Sequence, residues 1–257
     1  MSALEVLSLP ARQAAALRRV EHRPWPLPAR PWTMAQTWED LLFAHWPVTT
    51  ATIGAQIPEE LDLDLHDGQA WLGVTPLRIT GLRLRGTLPF PRLSSFLEIN
   101  VRTYVRAGER PGVWFFSLDA SSRVAVEVAW LTYKLPYFHA RISAERPGGR
   151  ISFECARTRE PGRAFSALYG ATGDAFEPAP GSLEQFLTER YCLYTVDRGE
   201  RLHRSEIHHA PWSLQEAEAE IALNTMPPSE LAVEGEPVLH FSRRQDVLVW
   251  PLEEASN

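Results

Sequence analysis

Phe96-Leu-Glu-Ile-Asn-Val-Arg-Thr-Tyr-Val105 alternates strictly between polar and apolar side chains from Glu98 onward. Successive side chains of a strand point to opposite faces. Glu98, Asn100, Arg102 and Tyr104 therefore share one face, and Ile99, Val101, Thr103 and Val105 share the other. A row of acid, amide, guanidinium and phenol suits two settings. One is the solvated outer face of an antiparallel sheet. The other is a polar row facing the lumen of a barrel.

Working outward, Ala107-Gly-Glu-Arg-Pro-Gly112 reads as a turn, and Val113 to Leu118 as a strand covered on both faces. Tyr137 to Glu145 and Arg150 to Arg157 form a hairpin around Pro147-Gly-Gly149. Residues 50 to 90 read as strands, with Asp67-Gly68 as a two-residue hairpin turn. Strands are expected at 191–196 and 200–207, joined at Asp197-Arg-Gly199, and in a last hairpin over 238–250 turning near Arg244-Gln245. Helices are expected from Thr33 to Trp46, ended by Pro47, from the Ser182 cap to about Arg190, and over Trp212 to Leu223. Residues 171–181 read as loop. Residues 1–32 read as a loosely held N-terminal arm, because the prolines of Pro24-Trp-Pro-Leu-Pro-Ala-Arg-Pro31 forbid a regular ladder or helix.

Composition narrows the function classes. With 257 residues, 44% of them hydrophobic, the chain can bury a sizeable core. A net charge of −6 gives no basic footprint for nucleic acid. No run approaches eighteen apolar residues, so no membrane helix is expected. The N-terminal residues do not read as a secretory leader, and Cys155 and Cys192 do not make a disulfide framework. The expected setting is cytoplasmic. Lys134 is the only lysine among 26 basic residues.

Several runs resemble the YqjF-like family, itself a distant relative of the acetoacetate decarboxylases. They are Leu41-Leu-Phe-Ala-His-Trp-Pro-Val48, Asp67-Gly-Gln-Ala-Trp-Leu-Gly-Val74, Glu98-Ile-Asn-Val-Arg-Thr-Tyr-Val105, Phe116-Ser-Leu-Asp-Ala120, Leu135-Pro-Tyr137, Leu187-Thr-Glu-Arg-Tyr191 and His209-Ala-Pro-Trp-Ser-Leu214. The resemblance implies a mainly β fold with a few short helices, an acetoacetate decarboxylase-like closed barrel or strongly curved antiparallel sheet, over residues 33–257. It also decides an ambiguous stretch. Val124, Val126 and Val128 alternate as in a strand, while Val124, Val128, Leu131 and Leu135 share a helical face. The resemblance implies a helix over 121–134, capped by Ser121 or Ser122.

The decarboxylases need a neutral lysine that forms an imine with a ketone, in a Gly-aromatic-Pro-Lys-Lys pattern. Here the matching run is Leu135-Pro-Tyr-Phe138, with Tyr137 and Phe138 at the lysine positions. Neither forms an imine, so the chain departs from those enzymes at their defining residue. Glu98 matches the glutamate of their pocket. Lys134 precedes the proline near a helix end, where it suits the terminal carbonyls.

The expectation is therefore a cavity for a polar, carboxylate-bearing or ketone-bearing small molecule. Glu98 is its candidate catalytic residue, and Asn100, Arg102, Tyr104, Tyr137, Arg190 and Tyr191 are its candidate ligand-binding residues. Arg102 offers the fork for an acid. Two other readings stay open: a lysine-independent lyase or hydrolase using Glu98 as acid or base, and a non-catalytic interaction protein. No cofactor is expected, nor a metal, since His208 and His209 face opposite sides of a strand and His203 and Glu206 add no HExxH spacing.

Overall fold

The alternating segment is one strand of a sheet that forks. The computed structural model describes residues 3–90, 93–231 and 233–255. Its strands are β1 (Met34–Val48), β2 (Asp62–Leu63), β3 (Ala70–Leu84), β4 (Phe96–Ala107), β5 (Arg110–Ala120), β6 (Tyr137–Glu145), β7 (Ile151–Arg157), β8 (Ala164–Phe176), β9 (Cys192–Val196), β10 (Leu202–His208), β11 (Leu214–Asn224), β12 (Val238–Val249) and β13 (Glu253–Glu254). The α-helices are α1 (Ala3–Ala14), α2 (Thr50–Gly54), α3 (Arg123–Tyr133) and α4 (Leu183–Thr188).

β12, β1, β3, β4 and β5 lie side by side and form a wall. At its β5 edge the sheet divides. Leu118–Ala120 pair in parallel with β6, whereas Val113 and Trp114 pair in parallel with β9. At the β12 edge it divides again: Phe241 and His240 pair with β11, and Val249 and Leu248 with β10. The wall thus closes two rings. A nine-strand ring runs through β6, β7, β8 and β11, and a seven-strand ring through β9 and β10. The fold is mainly β, a strongly curved sheet, as the resemblance implied.

Strand alternation gives the wall two interior faces. Leu42, Ala44, Leu72, Val74, Ile99 and Val101 face the nine-strand ring, where they pack with Phe153, Phe165 and Tyr169 in the largest apolar cluster. The opposite parity, including Glu98, Asn100 and Arg102, faces away from that cluster.

Several expectations are corrected. The stretch expected as helix from Thr33 to Trp46 is strand from Met34 onward, and that from Trp212 to Leu223 is strand from Leu214 onward. In β1, Asp40 takes φ 56 and the pairing with β3 shifts register between Glu39 and Ala44. This bulge puts Trp38 and Leu41 on the same side, so a strand imitates helical spacing. In β11, Glu216, Glu218 and Glu220 alternate with Ala217, Ala219 and Ile221, and pairing with β8 overrides the helical propensity of Ala and Glu. The expected hairpin over 238–250 is one continuous strand, β12, and residues 171–176 extend β8 instead of forming loop. Residues 50–90 contain α2 as well as strands, with Asp67 and Gly68 both at positive φ in the expected turn.

The helix over 121–134 forms as α3, its N-terminus capped by the Ser122 hydroxyl accepting from the Ala125 amide. The N-terminal arm is not loose. Leu9 and Gln13 are buried, and the Arg23 guanidinium meets the buried Glu206 carboxylate at 2.9 Å. Proline forbids a backbone ladder there, but it leaves side chains such as Trp25 free to dock, and the Trp25 indole donates to Glu206 at 2.8 Å.

Candidate functional site

A cavity of about 300 Å³ occupies the seven-strand ring, with walls from β1, β3, β4, β5, β9, β10 and β12. Tyr137 of β6 and the inward side of α3 complete it. The lining is mostly apolar, including Trp38, Leu77, Phe96, Phe115 and Leu118. A second bulge contributes: the β4–β5 register shifts between Val101 and Arg102, so Phe115 and Leu118, three apart, both reach the cavity. The polar lining consists chiefly of Glu98, Asn100, Arg102, Thr75, Gln36 and Tyr137.

Glu98 is 4% exposed. Burial is the main cause that pushes its carboxyl up, from an ordinary 4.5 to about 7. Hydrogen bonds from Tyr137 and Asn100 oppose that shift, while nearby Asp119 adds to it. The Tyr137 hydroxyl donates to Glu98 Oε2 at 2.8 Å. Its own ionisation is pushed far above the ordinary range, by burial first and by the adjacent carboxyl second. A carboxyl that titrates near neutrality beside a phenol can both hold and release a proton at working pH.

Arg102 is 8% exposed and makes no hydrogen bond or ion pair among the described residues. Its guanidinium lies 5.4 Å from the Phe43 ring centroid and 5.9 Å from that of Tyr104. Gly73 is its cross-strand partner, and a Cβ at Gly73 would meet the His45 ring at 3.0 Å and the Arg102 stem at 3.4 Å. Glycine at this position therefore makes the space that both side chains fill. Two further buried atoms in the lining lack partners, Asn100 Oδ1 and Thr75 Oγ1, and these two residues are paired across β3 and β4. Buried polar groups are ordinarily paired, and an unpaired buried charge is costly.

Of the candidates read from the sequence, the structure brings Glu98, Asn100, Arg102 and Tyr137 together. It does not bring in Tyr104, Arg190 or Tyr191, which lie outside the cavity lining. Tyr104 lies on the right face of β4 but beyond the cavity's end. Its hydroxyl donates to the Leu187 carbonyl at 2.7 Å and approaches His45 Nε2 at 2.6 Å. Arg190 is tied to Asp64 and to the Phe186 carbonyl, and it stacks on Tyr104 and Phe186. The Tyr191 hydroxyl donates to Glu189, and its ring lies against His209 and Arg23. These three residues knit elements together.

Lys134 is the C-cap of α3, in the left-handed conformation with φ 53. Its Nζ reaches His203 Nε2 at 3.0 Å and Asp197 Oδ2 at 3.4 Å, away from the cavity, so it clamps the β9–β10 turn instead of bonding the helix's own carbonyls. Glu206 is taken up by Arg23 and Arg110, and His208 by the Ala16 carbonyl. Among the described residues no cluster of three His, Cys, Asp or Glu is placed to hold a metal.

Sequence reasoning missed Thr75, Gln36 and Trp38. The Asp40 bulge hid the last two by disguising their strand. Nothing in the sequence marks Thr75, whose place depends on its register against Asn100.

The model of the conserved-protein family DUF2071 matches residues 35–246, nearly all of both rings. The chain belongs to that family. It is 44% identical over 227 residues to the uncharacterized protein YqjF of Bacillus subtilis (strain 168), covering 88% of this chain and 93% of that one. Solved structures share the fold at low identity. The enduracididine biosynthesis enzyme MppR, complexed with pyruvate, superposes with a TM-score of 0.65 at 14% identity, covering 92% of this chain and 93% of its own. An acetoacetate decarboxylase-like enzyme from Sphingomonas wittichii RW1 gives 0.61 at 14% identity, covering 93% and 99%. The acetoacetate decarboxylase of Legionella pneumophila gives 0.60 at 12% identity, covering 92% and 93%.

Proposed function

We propose that the cavity binds a small organic acid, with Arg102 receiving the carboxylate and the Glu98–Tyr137 pair facing an adjacent oxygen of the ligand. The observation that carries this reading is Arg102 itself, a buried guanidinium lining a cavity with no hydrogen-bond or ion-pair partner among the described residues. A carboxylate supplies the missing acceptors, and a guanidinium fork holds it by two charge-assisted hydrogen bonds. Below about pH 7 a protonated Glu98 does not repel the incoming anion, and its proton is available to a ligand carbonyl or hydroxyl. The pyruvate complex of MppR lends the reading support by fold alone. The two free, buried cysteines accord with a reducing, cytoplasmic setting.

Calorimetric titration with pyruvate, acetoacetate and acetate tests it, together with native mass spectrometry for a co-purified acid. At least one acid should bind, and Arg102→Met should weaken it by about 30-fold or more, consistent with roughly 2 kcal/mol or more for a charge-assisted pair. Equal binding to Arg102→Met removes the reading. Affinity should also fall as pH rises through about 7, because an ionised Glu98 then faces the carboxylate.

A second reading is favoured by one observation, the carboxyl of Glu98 poised near neutrality. It is a lyase or hydrolase in which Glu98 transfers the proton. Turnover lost in Glu98→Gln with ligand affinity kept supports the enzyme; a ligand that is bound but never consumed supports the binder. Imine chemistry has no part in either. The only lysine of the chain lies outside the cavity lining, and Tyr137 stands where an amine would be needed. Borohydride with a β-keto acid should leave Lys134 unmodified.

A further inference from the structure

The cavity changes character along its length. At its buried end lie Glu98, Asn100 and Arg102, all under 9% exposed. At its open end lie Leu84, Phe90, Leu93, Val124 and Val128, which line the cavity yet are 48–63% exposed, with Val124 at the lower bound and Phe90 at the upper. Much of the exposed apolar surface among the described residues gathers around this mouth. α3 has no fully buried residue, so it covers the opening without being locked into the core. A cavity made only for pyruvate-sized acids needs no apolar rim, and exposed apolar surface is unfavourable unless something covers it.

Resting on the carboxylate reading above, we infer that the natural ligand is an amphipathic acid. Its carboxylate lies at Arg102, and its unbranched apolar tail runs between α3 and the side chains of Phe90 and Leu93 to emerge at the mouth. The charge at one end and the apolar lining toward the other fix both the chemistry and the direction of the ligand.

The test is a chain-length series of straight-chain acids, acetate through decanoate, titrated calorimetrically into the full chain, with alcohols of matching length as controls. Affinity should rise roughly threefold to fourfold per added methylene until the tail leaves the mouth, as expected for burying CH₂ groups. The alcohols should bind far more weakly. Val128→Glu should flatten the slope for long chains. Leu131→Glu, an exposed α3 position outside the cavity lining, should keep it. Short acids that bind with no dependence on length overturn the tail while leaving the carboxylate reading intact. Failure of every acid, or alcohols binding as tightly as acids, overturns the carboxylate reading itself. A slope as steep in Val128→Glu as in the wild type places the tail elsewhere and overturns the inference.

Discussion

Two buried arginines sit on different strands of this fold, Arg157 on β7 and Arg102 on β4, and have opposite surroundings. Arg157 of β7 is fully engaged: its Nε and Nη2 donate to the two oxygens of Asp119 at 2.8 and 3.0 Å, and its Nη1 to Glu160 at 3.2 Å. Its guanidinium also lies 3.7 Å from the centroid of the Phe138 ring. Arg102 of β4 is about as deeply buried and has aromatic neighbours but no acceptor among the described residues. One guanidinium completes the protein; the other leaves something to be completed. Burial alone would rank them equal, so the hydrogen-bond inventory separates a structural charge from a binding one.

The largest effect should follow from breaking the engaged pair. Arg157→Met leaves the Asp119 carboxylate, 0% exposed, without its fork. Removing one partner of a buried pair costs about 3–5 kcal/mol, which urea unfolding would register as a lower midpoint. An unchanged midpoint would break the comparison at its firmer end.

The next effect is a pH dependence. The folded value of Glu98, about 7, lies above the ordinary 4.5. The native state therefore holds this proton more tightly than the unfolded chain does. That contribution is complete below about pH 4.5 and is lost as pH rises through about 7. Glu98→Gln cannot ionise, so its stability relative to wild type should climb across that window by roughly 3 kcal/mol and then level off. Urea midpoints of both proteins from pH 4.5 to 8 check this. Parallel profiles would mean that the carboxyl ionises as it does in water.

The smallest stability change is expected at Arg102. Arg102→Met removes a buried charge that has no hydrogen-bond or ion-pair partner among the described residues, so stability should stay within about 1 kcal/mol of wild type or rise. A thermal melt of the ligand-free protein decides it. A loss as large as that of Arg157→Met would mean that Arg102 has an acceptor within the protein after all, and the contrast would vanish.

Much of the site was legible because it lies on one uninterrupted strand. The β4–β5 register shift at Val101 and Arg102 places its extra residue, Phe116, in β5, so β4 itself keeps period two and Glu98, Asn100 and Arg102 share one face. Tyr104 has the same parity but falls outside the lining, because alternation gives direction and not depth. β1 was misread for a related reason. The positive φ at Asp40 inserts a residue, and two stretches of period two joined out of phase imitate a helix. The alternation of β11 was visible, but its Ala and Glu residues are strong helix formers, and only pairing with β8 outweighs them. Arg190 and Tyr191 came from a family-matching run, and a shared run does not distinguish residues that meet a ligand from residues that hold the walls.

The shared wall also bears on how such a protein can change over generations. Along β4, neighbouring residues answer to different selective demands. Ile99 and Val101 belong to the large apolar cluster, whereas Glu98, Asn100 and Arg102 line the cavity. Mutation at one set is judged by whether the chain folds, and at the other by what the chain recognises. The two properties are thus encoded in interleaved letters of the same short text. A lineage can rewrite every second letter to take a new ligand while the intervening letters keep the fold.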